Sequence, residues 1–312
     1  MKWLALVPPG TNVDFIGKRY WSLGLSIVLT VVSLVSIAVQ GFNFGIDFKG
    51  GVLMEVRMQE APNLGELRAK LSALDFGEVS LQEFGAPEDI LIRVQTREES
   101  EKEEIRVIDA VKAALGSGVD FRRTEFVGPK VGAELVRAGF LAVFLSLVGI
   151  SVYVWFRFEW QFGVGALVST IHDIVTTLGL FSLFQIEFSL TTVAAVLTIA
   201  GYSVNDTVVI YDRIRENMRK YKKMPITELI NRSNNETLAR SVITHLTTLL
   251  AVLALLFFGG QVIRGFSIAM VWGIFVGTYS SVFVAVPVLV YLNLRPGGSS
   301  SPAETAAQQG AR

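Results

Sequence analysis

Six stretches of about twenty mostly apolar residues each leave this chain little choice of architecture. They cover residues 21–39, 138–156, 162–184, 189–211, 242–258 and 266–292. Inside a bilayer no water meets the backbone, so each stretch satisfies its own N–H and C=O groups as a helix. With 51% hydrophobic residues against 18% charged, the sequence reads as an α-helical polytopic membrane protein with six transmembrane helices, not as a soluble enzyme. The first stretch is longer than the apolar core of a secretory signal and lacks a clear cleavage site, so it is expected to stay in place as a span.

Between the first two spans, from Gly41 to about Glu134, hydropathy falls and alternating patterns appear. Residues 52–58 alternate like a strand, and Leu64, Leu67, Leu71 and Leu74 recur at helical spacing. Residues 79–84 and 90–94 read as two more strands, separated by 85–89. A second helix is expected over about 100–115, with an acidic start at 98–104 and Ile105, Ile108, Val111 and Leu115 on one face. Gly116 and Gly118 end it, and 120–127 supplies a fourth strand. The order βαββαβ is that of a ferredoxin-like α+β domain.

The connection 212–239 carries Arg213, Arg215, Arg219, Lys220, Lys222, Lys223 and Arg232, which by the positive-inside rule lies in the cytoplasm. The run is an ordinary topology signal or, in addition, a surface for anionic lipid. Counting spans outward puts both termini inside and the α+β domain outside. The expected division is a cytoplasmic segment 1–20, a first helix 21–40, an extracytoplasmic domain 41–135, helices two to six over 136–294, and a flexible cytoplasmic tail 295–312.

Polar groups then interrupt the spans. The fourth is apolar or threonine from Leu190 to Ala200 and continues into Gly201, Tyr202, Ser203, Val204, Asn205 and Asp206. A carboxylate there costs about 2.5–3.5 kcal/mol at the centre of a span, which marks Asp206 as a functional candidate. Alternatively, Asp206 lies near the helix end, in headgroup water. Tyr202, Asn205, Asp206 and Val209 share one face. In the third span Ser169, His172, Asp173 and Thr176 do the same, either as a proton relay or as a buried structural pair. The fifth opens with Arg240, followed by Thr244 and Thr247 on its face; alone, Arg240 is an anchor reaching for headgroups.

Other chemistries are excluded. There is no cysteine, hence no disulfide and no thiolate, and no metalloprotease, phosphate-loop, dinucleotide or nucleophile-elbow spacing occurs. No metal and no catalytic group for covalent chemistry is expected. Net charge is zero, which gives no sign of a nucleic-acid partner.

Four stretches together resemble the SecF family of protein-export membrane subunits, within the resistance-nodulation-division superfamily. They are 44–51 with Gly45, Asp47, Gly50 and Gly51; His172 with Asp173; 201–217, with Gly201 and Tyr202 at its head; and 277–281. The resemblance implies half of a machine completed by SecD. It also implies assistance to the SecYEG channel and the SecA motor, acting on unfolded preprotein at the inner membrane, with protons as coupling ion and no other cofactor. It assigns Asp206 and Arg240 to the proton path, to which Asn205, Asp173, His172 and Thr244 are added by position. The competing expectation is half of a small-molecule or lipid exporter of the same superfamily.

Overall fold

A computed structural model of the chain describes residues 7, 8, 10–77, 79–94, 101–116, 118–260, 262–292 and 294. The expected acidic start 98–100 and the tail 295–312 lie outside them. Two compact units form: one takes in the chain up to Gly41, Phe144–Phe184 and the chain from Ala194, and the other Phe42–Val143 with Gln185–Val193.

In the second unit a short helix α2 (Ile46–Lys49) precedes β1 (Gly51–Arg57), α3 (Leu64–Ser72), β2 (Val79–Phe84), β3 (Ala86–Val94), α4 (Glu101–Leu115) and β4 (Asp120–Val127). The strands are all antiparallel, in the order β2-β3-β1-β4. Alternation on β1 places Val52, Met54 and Val56 on one face, opposite Val94, Ile92 and Ile90 of β3. Leu67 and Leu71 of α3 and Val107 and Val111 of α4 close over them. Asn63 starts α3 by accepting from the Gly65 and Glu66 N–H groups.

Two expectations are corrected here. The segment 85–89 is not a separator: Gly85, at φ +85°, makes the turn and β3 starts at Ala86. Asp89 pairs with Arg57 in the ladder, and its carboxylate takes two guanidinium bonds at 2.6 Å, so the strand extends to hold that pair. Helix α4 buries a stripe centred on Val107 and Val111, which leaves Ile105 54% exposed instead of on the core face.

Among the described residues six helices are long and apolar enough to cross a membrane. They are α1 (Arg19–Gln40), α5 (Pro129–Arg157), α6 (Trp160–Leu183), α7 (Leu190–Lys220), α8 (Ile226–Phe258) and a sixth span. The sixth joins α9 (Arg264–Ser280), a π-helical turn Ser281–Ala285 and α10 (Val286–Tyr291). α6, α7 and the sixth span bury most of their apolar windows, while α5 and α8 bury little. Small residues set the spacing. A Cβ on Gly179 of α6 would fall 2.2 Å from the Ser33 Cβ of α1, and one on Gly273 of α9 2.4 Å from Ile199 of α7.

The expected connection 212–239 is helical except for 221–225, because α7 runs on to Lys220 and α8 begins at Ile226. The two extensions fasten to each other. Asn217 Nδ2 donates to Ser233 Oγ at 3.0 Å and to Glu236 Oε2 at 2.8 Å, and Glu236 also pairs with Arg213 at 2.7 Å and Arg232 at 2.9 Å. Below these groups Ile214, Leu229 and Ile230 are buried. The segment before α1 docks on the same hairpin. The Val13 N–H donates to Asn235 Oδ1 at 2.7 Å, Asn235 Nδ2 returns a bond to the Val13 carbonyl at 2.9 Å, and the Phe15 N–H donates to Asn231 Oδ1 at 2.8 Å.

Candidate functional site

Among the described residues the helical unit buries two carboxylates, and their surroundings differ. Asp173 of α6 is fully buried. Its Oδ2 accepts from Ser203 Oγ of α7 at 2.5 Å and from Ser280 Oγ of α9 at 2.7 Å, and its Oδ1 lies 3.1 Å from His172 Nδ1. One carboxylate thus fastens three helices. Thr176 and Thr177 turn their hydroxyls back to the α6 backbone, so they do not compete for it. A Cβ on Gly277 would stand 3.8 Å from Asp173 Oδ2, an ordinary contact.

Asp206 of α7 is 6% exposed. Its Oδ1 accepts from Ser241 Oγ of α8 at 2.6 Å, whereas its buried Oδ2 has no partner among the described residues. A buried acceptor without a donor costs about 1–3 kcal/mol, and more when charged. Arg240 does not meet Asp206 as the sequence suggested. It is exposed on α8 and forms no ion pair among the described residues, because its neighbour Ser241 points to the carboxylate instead.

The remaining expected residues divide. Tyr202 donates to the Thr244 carbonyl at 3.3 Å and sets its ring against His245, centroids 5.4 Å apart. Asn205 is exposed, and Gly201 has open space where a Cβ would stand. The His172 Nε2 is buried and has no partner among the described residues. Sequence reasoning missed Ser203, Ser241 and Ser280 as ligands of the two carboxylates, although Ser203 and Ser280 lie within the quoted motifs. It also missed Tyr211, whose hydroxyl donates to the Ala285 carbonyl of the π turn at 3.2 Å.

The glycine motif lies in the other unit, where its geometry accounts for its residues. Gly50 and Gly51 have φ +74° and +118°, the left-handed side that glycine adopts without strain, and they turn the chain from α2 into β1. A Cβ on Gly45 would sit 2.7 Å from Glu187 Oε1. Phe44 forms a parallel bridge with Phe188, the Gly45 N–H donates to the Phe188 carbonyl at 2.9 Å, and the Phe188 N–H donates to the Asn43 carbonyl at 2.8 Å. Asp47 Oδ2 accepts from the Leu190 N–H at 2.8 Å. Glu187 pairs with Arg93 of β3; burial pushes its carboxyl above the usual range while Arg93 pulls it down. The Arg57 guanidinium holds Asp89 below the usual carboxylate range.

Among the described residues no group of three or more His, Asp or Glu side chains is placed to hold a metal ion. Fold and site together define a class: six-span membrane proteins with carboxylates buried between helices and a small α+β domain inserted after the first span. Two family descriptions match the chain: "Protein export membrane protein SecD/SecF, C-terminal" over residues 107–295, and "SecD/SecF GG Motif" over 35–62. The protein translocase subunit SecF of Rickettsia felis is 49% identical over 290 residues, covering 92% of this chain and 94% of that one. The Rickettsia prowazekii subunit is equally similar, with 93% of its length covered. The crystal structure of SecDF from Thermus thermophilus superposes with a TM-score of 0.83 at 37% identity, over 95% of this chain and 40% of that one. A SecDF structure in a super-membrane-facing form gives 0.68 at 35% identity, over 99% and 41%. The chain belongs to the SecD/SecF family of protein-export membrane proteins.

Proposed function

We propose that this chain is the SecF half of a SecDF unit that assists preprotein translocation across the bacterial inner membrane by drawing on the proton gradient. Its match to a SecF subunit over 92% of this chain and 94% of that one, beside its likeness to 40% of a SecDF chain, supports a partner of the SecD type. Arg240 on the sparsely buried helix α8 supports the same reading: an exposed guanidinium at such a helix is costly against lipid and favours a polar partner. SecYEG, SecA and an unfolded preprotein are the further partners. The βαββαβ unit is read as a ferredoxin-like domain on the extracytoplasmic side, and the α7–α8 hairpin with its basic residues as cytoplasmic.

The observation that carries the mechanism is the half-occupied carboxylate of Asp206. One oxygen is held by Ser241 and the other is buried with no donor among the described residues. Such a group is a place for a proton to arrive and leave. An electrical gradient supplies about 2.3 kcal/mol per charge per 100 mV, enough for a few protons to bias two packings of a helix pair. Asp173 has its oxygens occupied and serves as a fixed fastener of α6, α7 and α9. The test is export into inverted vesicles by chains carrying Asp206→Asn or Arg240→Met. Normal insertion with loss of the gradient-stimulated part is expected; full stimulation in both variants refutes the proton path at these residues.

A further inference from the structure

Helix α7 takes an acceptor for its first N–H group from outside its own stretch. The first N–H groups of any helix lack intrahelical partners, and a serine at the start is the usual local acceptor. Ser189 stands there, but its hydroxyl is engaged with the Thr191 hydroxyl at 2.8 Å. The Leu190 N–H donates instead to Asp47 Oδ2, from a residue far back in the chain. A carboxylate at a helix N-terminus also gains from the helix dipole.

This bond is one of several that close the same joint, all within the unit holding the α+β domain and the first turn of α7. Backbone bonds link Gly45 and Asn43 to Phe188, and Asn43 Nδ2 donates to the Gln185 carbonyl at 3.0 Å. Phe42, Phe44 and Phe48 pack on Phe188 with ring centroids 5.2–6.0 Å apart. Arg93, from the middle of the sheet, pairs with Glu187. α7 then runs unbroken from Leu190 past Asp206.

We infer that Asp47 is a positioning residue: by capping α7 from the base of the α+β domain, it makes the domain and the helix bearing Asp206 move as one piece at this joint. The inference rests on the proton-path reading of Asp206. It gives the glycine motif a mechanical purpose, since Gly45 lets the loop lie flush and Gly50 and Gly51 turn the chain directly from the cap into the sheet.

The test uses the chain assembled with its SecD partner in inverted vesicles, with hydrogen exchange on the same complex. Asp47→Ala is expected to speed amide exchange at Leu190 about fivefold, the change typical of a lost cap. The gradient-stimulated part of export should fall by a similar factor, with export in the absence of a gradient unchanged. Asp47→Asn keeps an acceptor oxygen and should stay within about twofold of the native chain on both measures. Arg93→Glu and Glu187→Arg should each lower the stimulated part, and the double exchange should restore it. Faster exchange at Leu190 with undiminished stimulation overturns the inference, and so does an Asp47→Asn chain as impaired as Asp47→Ala. If Asp47→Ala does not accumulate, the charge exchange decides, and failure of the double variant to recover overturns the joint. Asp206→Asn is measured alongside. Full stimulation there removes the proton-path reading, while the contrast between the two substitutions at Asp47 still decides the joint.

Discussion

Replacing Asp173 by alanine removes the acceptor that α6, α7 and α9 share, and the loss can be sized from its three contacts. Hydrogen bonds to charged groups contribute about 1.5–3 kcal/mol each in soluble proteins. Between membrane helices the average is about 0.6 kcal/mol and the largest about 1.7, because the separated helices find other partners. The membrane scale applies here. Three contacts give about 2 kcal/mol, with about 5 as a ceiling, and about 2 kcal/mol lowers the unfolding midpoint of a 312-residue chain by roughly 3 °C. Asp173→Asn keeps a carbonyl oxygen for Ser203 or Ser280 and should lose about half as much. Thermal unfolding of the purified complex in mild detergent measures both, with gradient-stimulated export assayed well below the midpoint. Asp173→Ala should shift the midpoint and retain export there. An unshifted midpoint with export abolished would refute the reasoning and make Asp173 a proton carrier instead of a fastener.

Two further outcomes follow from the packing and the charges. Gly179→Val should force α1 from α6, since even a Cβ would lie 2.2 Å from the Ser33 Cβ; overpacking of this kind costs about 1–3 kcal/mol, read as a lower unfolding midpoint that Ser33→Gly partly restores. Asp89 is held below its ordinary pKa by Arg57, so its pair contributes stability above the unfolded carboxyl value near 3.8, and that stability is lost as pH falls through the lowered folded value. Asp89→Asn should therefore flatten the acid limb of the α+β domain's unfolding profile, followed by circular dichroism, and an unchanged limb would count against the pair.

The six spans and the βαββαβ order were legible because hydrophobic period and length are local properties of the chain. Leu67 and Leu71 sit in the core where their spacing put them. Ile105 does not, since which stripe of α4 is buried depends on the sheet beneath it and not on α4 alone. The hairpin beyond Tyr211 was hidden by its charge: a polar stretch after a span reads as a loop until Asn217, Ser233 and Glu236 are seen to join two helices. In the site, Asp173 and Asp206 announced themselves by their cost in lipid. Their serine partners did not, because a serine in a membrane helix usually bonds its own backbone. The mismatch between Asp206 and Arg240 has the same origin: adjacent residues of α8 point about 100° apart, and nothing local says whether position 240 or 241 faces α7.

The sixth span draws backbone partners from other helices. Pro287 offers no N–H to the Phe283 carbonyl four residues back, and Ser22 Oγ of α1 approaches that oxygen at 3.4 Å; the Ala285 carbonyl of the wide turn before it also accepts from Tyr211 of α7. Both donors belong to helices synthesised earlier. During biogenesis this segment is therefore a poor candidate for independent entry into hydrocarbon, and a good one for insertion against helices already present. Assembly order is thus written into its backbone: this span is completed by donors on helices made before it.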